Sequence, residues 1–152
     1  MARRKGDEMR PIYETPETLK NERDVADFLS GIWGCEFIKL KISYGIDFGV
    51  MKDGDFVATA EIKCRNYDSV TIGGWGGLML SASKAHRAAD WHVPFILVVR
   101  LTDGLFTASI QDWSSYRIKI TGRRDRGDWQ DIEPCFIIPM DQFNKVENDP
   151  TS

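Results

Sequence analysis

The stretch YGIDFGVMKDGDFVATAEIKCR, residues 44–65, reads as a β-hairpin, two alternating runs either side of a turn containing Asp53-Gly54. Side chains alternate between the two faces of a strand. In the first run Ile46, Phe48 and Val50 share one face, and Gly45, Asp47, Gly49 and Met51 the other. In the second, Phe56, Ala58, Ala60, Ile62 and Cys64 share a face, and Val57, Thr59, Glu61, Lys63 and Arg65 the other. A two-residue turn would set Phe48 against Thr59 and mix apolar with polar. A three-residue turn, Lys52-Asp53-Gly54, pairs Val50 with Phe56, Phe48 with Ala58 and Ile46 with Ala60. Asp47 then meets Thr59 and lies diagonal to Glu61, within about 7–8 Å. That turn, or a bulge with the same effect on parity, is the expectation.

Two carboxylates and an ammonium on one sheet face are costly without partners. Gly45 and Gly49 flank Asp47 and leave the face bare, which suits a hard cation and a close-approaching substrate. Asp47 and Glu61 can hold Mg²⁺ (or Mn²⁺) with several waters retained, and the backbone carbonyl of Ile62 points to the same place. Lys63 could orient an attacking water or stabilise charge on a phosphate oxygen. The competing reading is a solvated strand face with a Glu–Lys pair, worth about 0–1 kcal/mol.

Upstream, TPETLKNERDVADFLSGIWG begins a helix at Pro16 and ends it at Gly34. Leu19, Glu22, Val25, Ala26, Leu29, Ile32 and Trp33 recur at helical spacing, so Glu22 lies on the stripe that faces the sheet. A glutamate there needs a cation or Lys63 as partner, unless it reaches water at the stripe edge. EFIKLKIS reads as a strand. Downstream, the Gly-rich NYDSVTIGGWGGLML reads as a mobile loop, SASKAHRAADWH as a serine-capped second helix, and VPFILVVRL as a buried central strand. DGLFTASIQDW, YRIKIT and CFIIPM read as further strands. The fold class is α/β, an α-β-β-β-α-β order with a central mixed sheet flanked by helices and extra C-terminal strands.

The 152 residues suit one domain: a disordered or extended arm at 1–12, a single domain at 13–146 and a disordered tail at 147–152. A net charge of −3 gives no global basic signal, although a local basic groove is compatible with it. Cys35, Cys64 and Cys135 form no CxxC pair, so they read as reduced thiols of a cytoplasmic protein. No signal peptide opens the chain and no apolar run reaches membrane-spanning length.

A helix bearing Glu22, three strands, I-D at 46–47, E-I-K at 61–63, then a helix and a buried strand: this ordered set resembles the PD-(D/E)XK nuclease superfamily over about residues 16–101. The flavour is that of small resolvase-like or phage-type members, with Ile46 where the motif's name has proline. The resemblance implies a restriction-endonuclease-like fold and a Mg²⁺-dependent endonuclease acting on DNA, selective for branched structures; the alternatives are a DNA exonuclease of the same fold and a catalytically silent nucleic-acid-binding or assembly protein that keeps it. It implies Asp47 and Glu61 as metal ligands, Lys63 as the water-positioning group, and Glu22 completing the site through a second metal or a water. A homodimer is implied because cutting two strands takes two sites. Under this reading Arg65, Lys84 and Ser81 are candidate phosphate contacts, and so are Arg123, Arg124 and Arg126 in GRRDRGDWQDIEP. Asp125, Asp128 and Asp131 could instead pair with those three arginines within the loop. Trp75 in GGWGG could stack on unpaired bases, bury in a partner or pack on its own domain. GGWGG is no P-loop, and S-x-x-K at Ser81–Lys84 lacks its serine-acylase companion motifs.

Overall fold

Pro16 has no N–H to leave unpaired, which fits it to open α1 (Pro16–Trp33) in the computed structural model, which describes residues 16–121 and 132–147. The buried stripe of α1 is Val25, Ala26 and Leu29, while Lys20–Asp24 and Arg23–Asp27 pair on its outer side. Strand β1 (Glu36–Lys39) follows, then a single 3₁₀ turn (Ile42–Tyr44), β2 (Phe48–Lys52) and β3 (Asp55–Cys64).

The hairpin keeps the expected parity by the second of the two expected routes. Asp53 (φ 52°) and Gly54 (φ 83°) form a two-residue turn, with Lys52 paired to Asp55 and Met51 to Phe56. A shift between Val50 and Met51 leaves Val57 unpaired in β3, and beyond it Val50 meets Ala58 and Phe48 meets Ala60. The bulge therefore restores like faces, but the register lies two residues from the three-residue-turn expectation. Asp47 comes alongside Glu61 rather than Thr59.

The stretch expected as a mobile loop contains structure. Asp68 caps α2 (Ser69–Gly74), its carboxylate accepting from Thr71 N at 2.7 Å. Strand β4 (Leu78–Ser81) follows, then α3 (Ala82–Ala89), β5 (Phe95–Leu101), β6 (Gly104–Ile110), β7 (Arg117–Thr121), β8 (Glu133–Ile138) and the short β9 (Asn144–Lys145). Gly77 is required where β4 meets β8: its φ is 140°, and a Cβ there would stand 2.2 Å from Ile138 O. Serine capping of α3 fails. Ser81 is the cap residue but makes no side-chain cap bond.

Two sheets result: β1-β2-β3-β5-β6-β9, and β4-β8-β7. Within the first, β3 and β5 run parallel and the other pairs antiparallel, so the sheet is mixed. One face packs under α1, where Ala58, Ala60 and Ile62 join Val25, Leu29, Phe48 and Val98. The other face packs against α2, α3 and the second sheet, where Leu97 and Val99 join Ile72, Leu80, Ala88 and Ile138. Strand β3 is thus covered on both sides, the usual position of a parallel strand. The arm at 1–12, tail residues 148–152, and the loop carrying Arg123, Arg124 and Arg126 lie outside the described residues.

Candidate functional site

Alternation along β3 turns Thr59, Glu61 and Lys63 to the face opposite α1, beside Leu97 and Val99 of β5. Glu61 is only 6% exposed there, so the solvated-face reading does not hold. Asp47 stands one residue before β2. Its backbone carbonyl accepts from Leu40 N at 2.8 Å, which ties it to the end of β1.

The fourth member comes from α3. Lys84 Nζ donates to Asp47 Oδ1 at 3.4 Å and lies 3.0 Å from Glu61 Oε2, so one ammonium bridges both carboxylates. Lys63 Nζ lies 3.8 Å from Glu61 Oε1. All four residues line one cavity of 340 Å³ that Glu22, Ile62 and Arg65 also border.

Burial shifts these groups. It pushes the Glu61 carboxyl above the ordinary glutamate range; Lys63 pulls it back and Asp47 adds to the rise. Burial also pushes the Lys63 ammonium down against the pull of Glu61. For Lys84 burial again opposes the charge, but Glu61 and Asp47 outweigh it and hold the ammonium above its ordinary value.

The donor set fits a hard divalent cation. Two carboxylates side by side already hold a positive charge between them, and Mg²⁺ takes one or two carboxylates while keeping several waters. Among the described residues no three His, Cys, Asp or Glu side chains gather into a ready-made cage. Glu22 borders the cavity without joining such a cluster.

A family model described as "Phage putative PDDEXK endonuclease" matches residues 8–146. The chain belongs to that family. No curated protein and no solved structure matches the chain. The family's description names an endonuclease activity of the PDDEXK type.

Within this PDDEXK chain the remaining expectations divide. Arg65 and Lys84 reach the cavity, Lys84 far more centrally than its expected role of phosphate contact. Ser81 does not line it: its hydroxyl hydrogen-bonds with Ser83 at 2.7 Å and donates to Glu133 at 3.2 Å. Trp75 is half exposed, edge-on to Tyr67 with ring centroids 4.9 Å apart. The bare glycine face is also absent. A Cβ at Gly45 would lie 3.1 Å from Arg87 Cγ, and one at Gly49 3.0 Å from the Phe56 ring. These glycines give room to neighbouring side chains, not to a ligand. Nothing local marked Lys84 as a bridging group, because its sequence neighbours are those of an ordinary amphipathic helix.

Proposed function

We propose that this chain is a divalent-metal-dependent DNA endonuclease whose site is Asp47, Glu61, Lys63 and Lys84. The observation that carries the reading is a buried glutamate beside an aspartate, with an ammonium bridging them, at the end of a buried parallel strand. The mixed sheet flanked by helices is compatible with such a nuclease fold.

Asp47, Glu61 and the Ile62 carbonyl would hold Mg²⁺ or Mn²⁺. When bound, the ion supplies charge neutralisation at the phosphate and a more acidic water. The chain's own groups do the rest. Lys63, walled in by the sheet and held near Glu61, orients the attacking water and meets charge developing on a phosphate oxygen. Lys84 stays charged and turns from the carboxylates to a non-bridging phosphate oxygen. Glu22, at the cavity border, completes the site through a water or second ion. Water oxygen bonds to phosphorus as one ester P–O bond breaks; the water gives up a proton and the departing alkoxide gains one. Trp75 and Tyr67, exposed and paired, offer a surface on which an unpaired base can stack, so branched DNA is the expected substrate. Cutting both strands calls for two copies of the chain.

The test is cleavage of linear duplex, single-strand, flap and four-way-junction DNA with Mg²⁺ or Mn²⁺, beside Glu61→Gln and Lys63→Ala. Metal-dependent cutting that vanishes in both variants is expected. A well-folded wild type that cuts nothing, and shows no Mn²⁺-dependent stabilisation abolished by Asp47→Asn, would make the chain a catalytically silent binding protein.

A further inference from the structure

Strand β5 is an apolar run whose next-to-last residue is Arg100, paired in register with Cys64 of β3. By alternation its side chain leaves on the α1 face with Val98 and Ile96. An arginine there is expensive without a partner. Its Nε is buried, yet it has no hydrogen-bond partner among the described residues. A buried donor left unmade keeps its desolvation cost with nothing to offset it.

A second cavity, of 420 Å³, opens beside this group. It shares Asn21, Cys64 and Arg65 with the cavity of the candidate site, so the two are contiguous. Arg65 binds the Cys64 carbonyl with one guanidinium nitrogen at 3.0 Å, while its side chain is exposed. Asn66 and Thr102 add neutral polar groups to the wall, and Glu17, on the exposed first turn of α1, is the one carboxylate among the lining residues. Two arginines and amide and hydroxyl groups form a pocket for a singly charged, oxygen-rich anion. The arginine fork matches a phosphodiester better than a point charge does.

We propose that Arg100, with Arg65, holds a backbone phosphate of the bound DNA strand next to the one that reaches Asp47, Glu61 and Lys63. The proposal rests on the nuclease reading above and adds a positioning subsite that fixes the strand's path across α1's N-terminal turns. Arg100 acts on register, not on the breaking bond.

Full-length protein is titrated with labelled DNA in the absence of divalent metal, over roughly 50–200 mM salt. Arg100→Gln should weaken binding roughly tenfold, the loss of one charge-assisted contact. It should also flatten the log K against log salt slope by about 0.7–0.9. Arg100→Lys, which keeps the charge but loses the fork, should fall between. In cleavage, Arg100→Gln should raise KM with kcat nearly unchanged. Single methylphosphonates walked along the strand decide position: one neutral linkage beside the cut should impair wild type and leave Arg100→Gln indifferent. If Arg100→Gln does not fold, Arg100→Lys and Arg65→Gln carry the same comparison. Folded variants that match wild type in slope and affinity would overturn the subsite. So would methylphosphonates that impair wild type and variant equally at every position, or competition by inorganic phosphate with no positional effect. A wild type that shows the Arg100-dependent positional effect but cuts no DNA would support the subsite while sinking the nuclease reading.

Discussion

The two faces of β3 are both covered, yet they are built from opposite chemistry. Ala58, Ala60 and Ile62 fill the space beneath α1 with apolar groups that need no partners. Glu61 and Lys63, on the reverse face of the same strand, are nearly as enclosed. What separates the faces is therefore composition rather than exposure. A buried apolar face stabilises through its contacts. A buried charged face pays a desolvation penalty that only close counter-charges offset. Lys84 supplies one such charge from α3, and the shifts of Glu61 and Lys63 record what remains uncompensated. The comparison supports the proposed site on the charged face, since an apolar replacement would serve the fold at least as well.

Removing the charge should have the largest effect, and on activity. Glu61→Gln is expected to lower cleavage about 10²-fold or more, because it removes a proposed ligand of the divalent ion and the loss of a ligand's supporting partner alone costs about 10–100-fold, while circular dichroism stays native. An active Glu61→Gln enzyme would dissolve the distinction between the faces.

Cutting into the apolar face should act on stability instead. Leu29 is fully buried between α1 and this face, so Leu29→Ala is expected to lose about 2–5 kcal/mol in urea unfolding. Turnover per folded molecule should be retained at temperatures where the variant is folded.

The pH response sharpens the contrast. Burial leaves the Glu61 carboxyl with a folded-state pKa above its unfolded value, so the folded state binds more protons across that window. Its contribution to stability is then present below the ordinary glutamate range and declines as pH rises through the raised value. Without metal, Glu61→Gln should flatten this decline. Urea midpoints collected from acid to neutral pH would read it, and a variant curve parallel to wild type would contradict the assignment.

The smallest effect belongs to a charged pair outside both faces. Lys20 and Asp24 meet at 2.8 Å on the exposed side of α1, so Lys20→Ala should change stability by less than about 1 kcal/mol and leave cleavage untouched.

Much of this arrangement was legible in one hairpin. Alternation alone separated the faces of β3 and singled out Asp47, Glu61 and Lys63, because side-chain period in a strand is a local property. The helical stripe of Val25, Ala26 and Leu29 and the apolar run of β5 were equally local. Register was not, since a bulge at Val57 and a three-residue turn satisfy the same parity and differ by two residues in where Asp47 falls. Glycines around Asp47 suggested open space until Arg87 and Phe56 arrived from distant segments to fill it. In the Gly-rich stretch α2 and β4 were masked, because β4 exists through its pairing with β8, more than fifty residues later. Lys84 was legible only as a candidate phosphate contact, not as a bridge between the carboxylates, and Arg100 carries no local mark. Sequence by itself determined which residues share a strand face, for that follows from backbone geometry. Tertiary structure alone decided that the charged face is enclosed, that α3 lends it an ammonium, and that an arginine opens beside it, because burial and charge pairing arise only when remote segments meet.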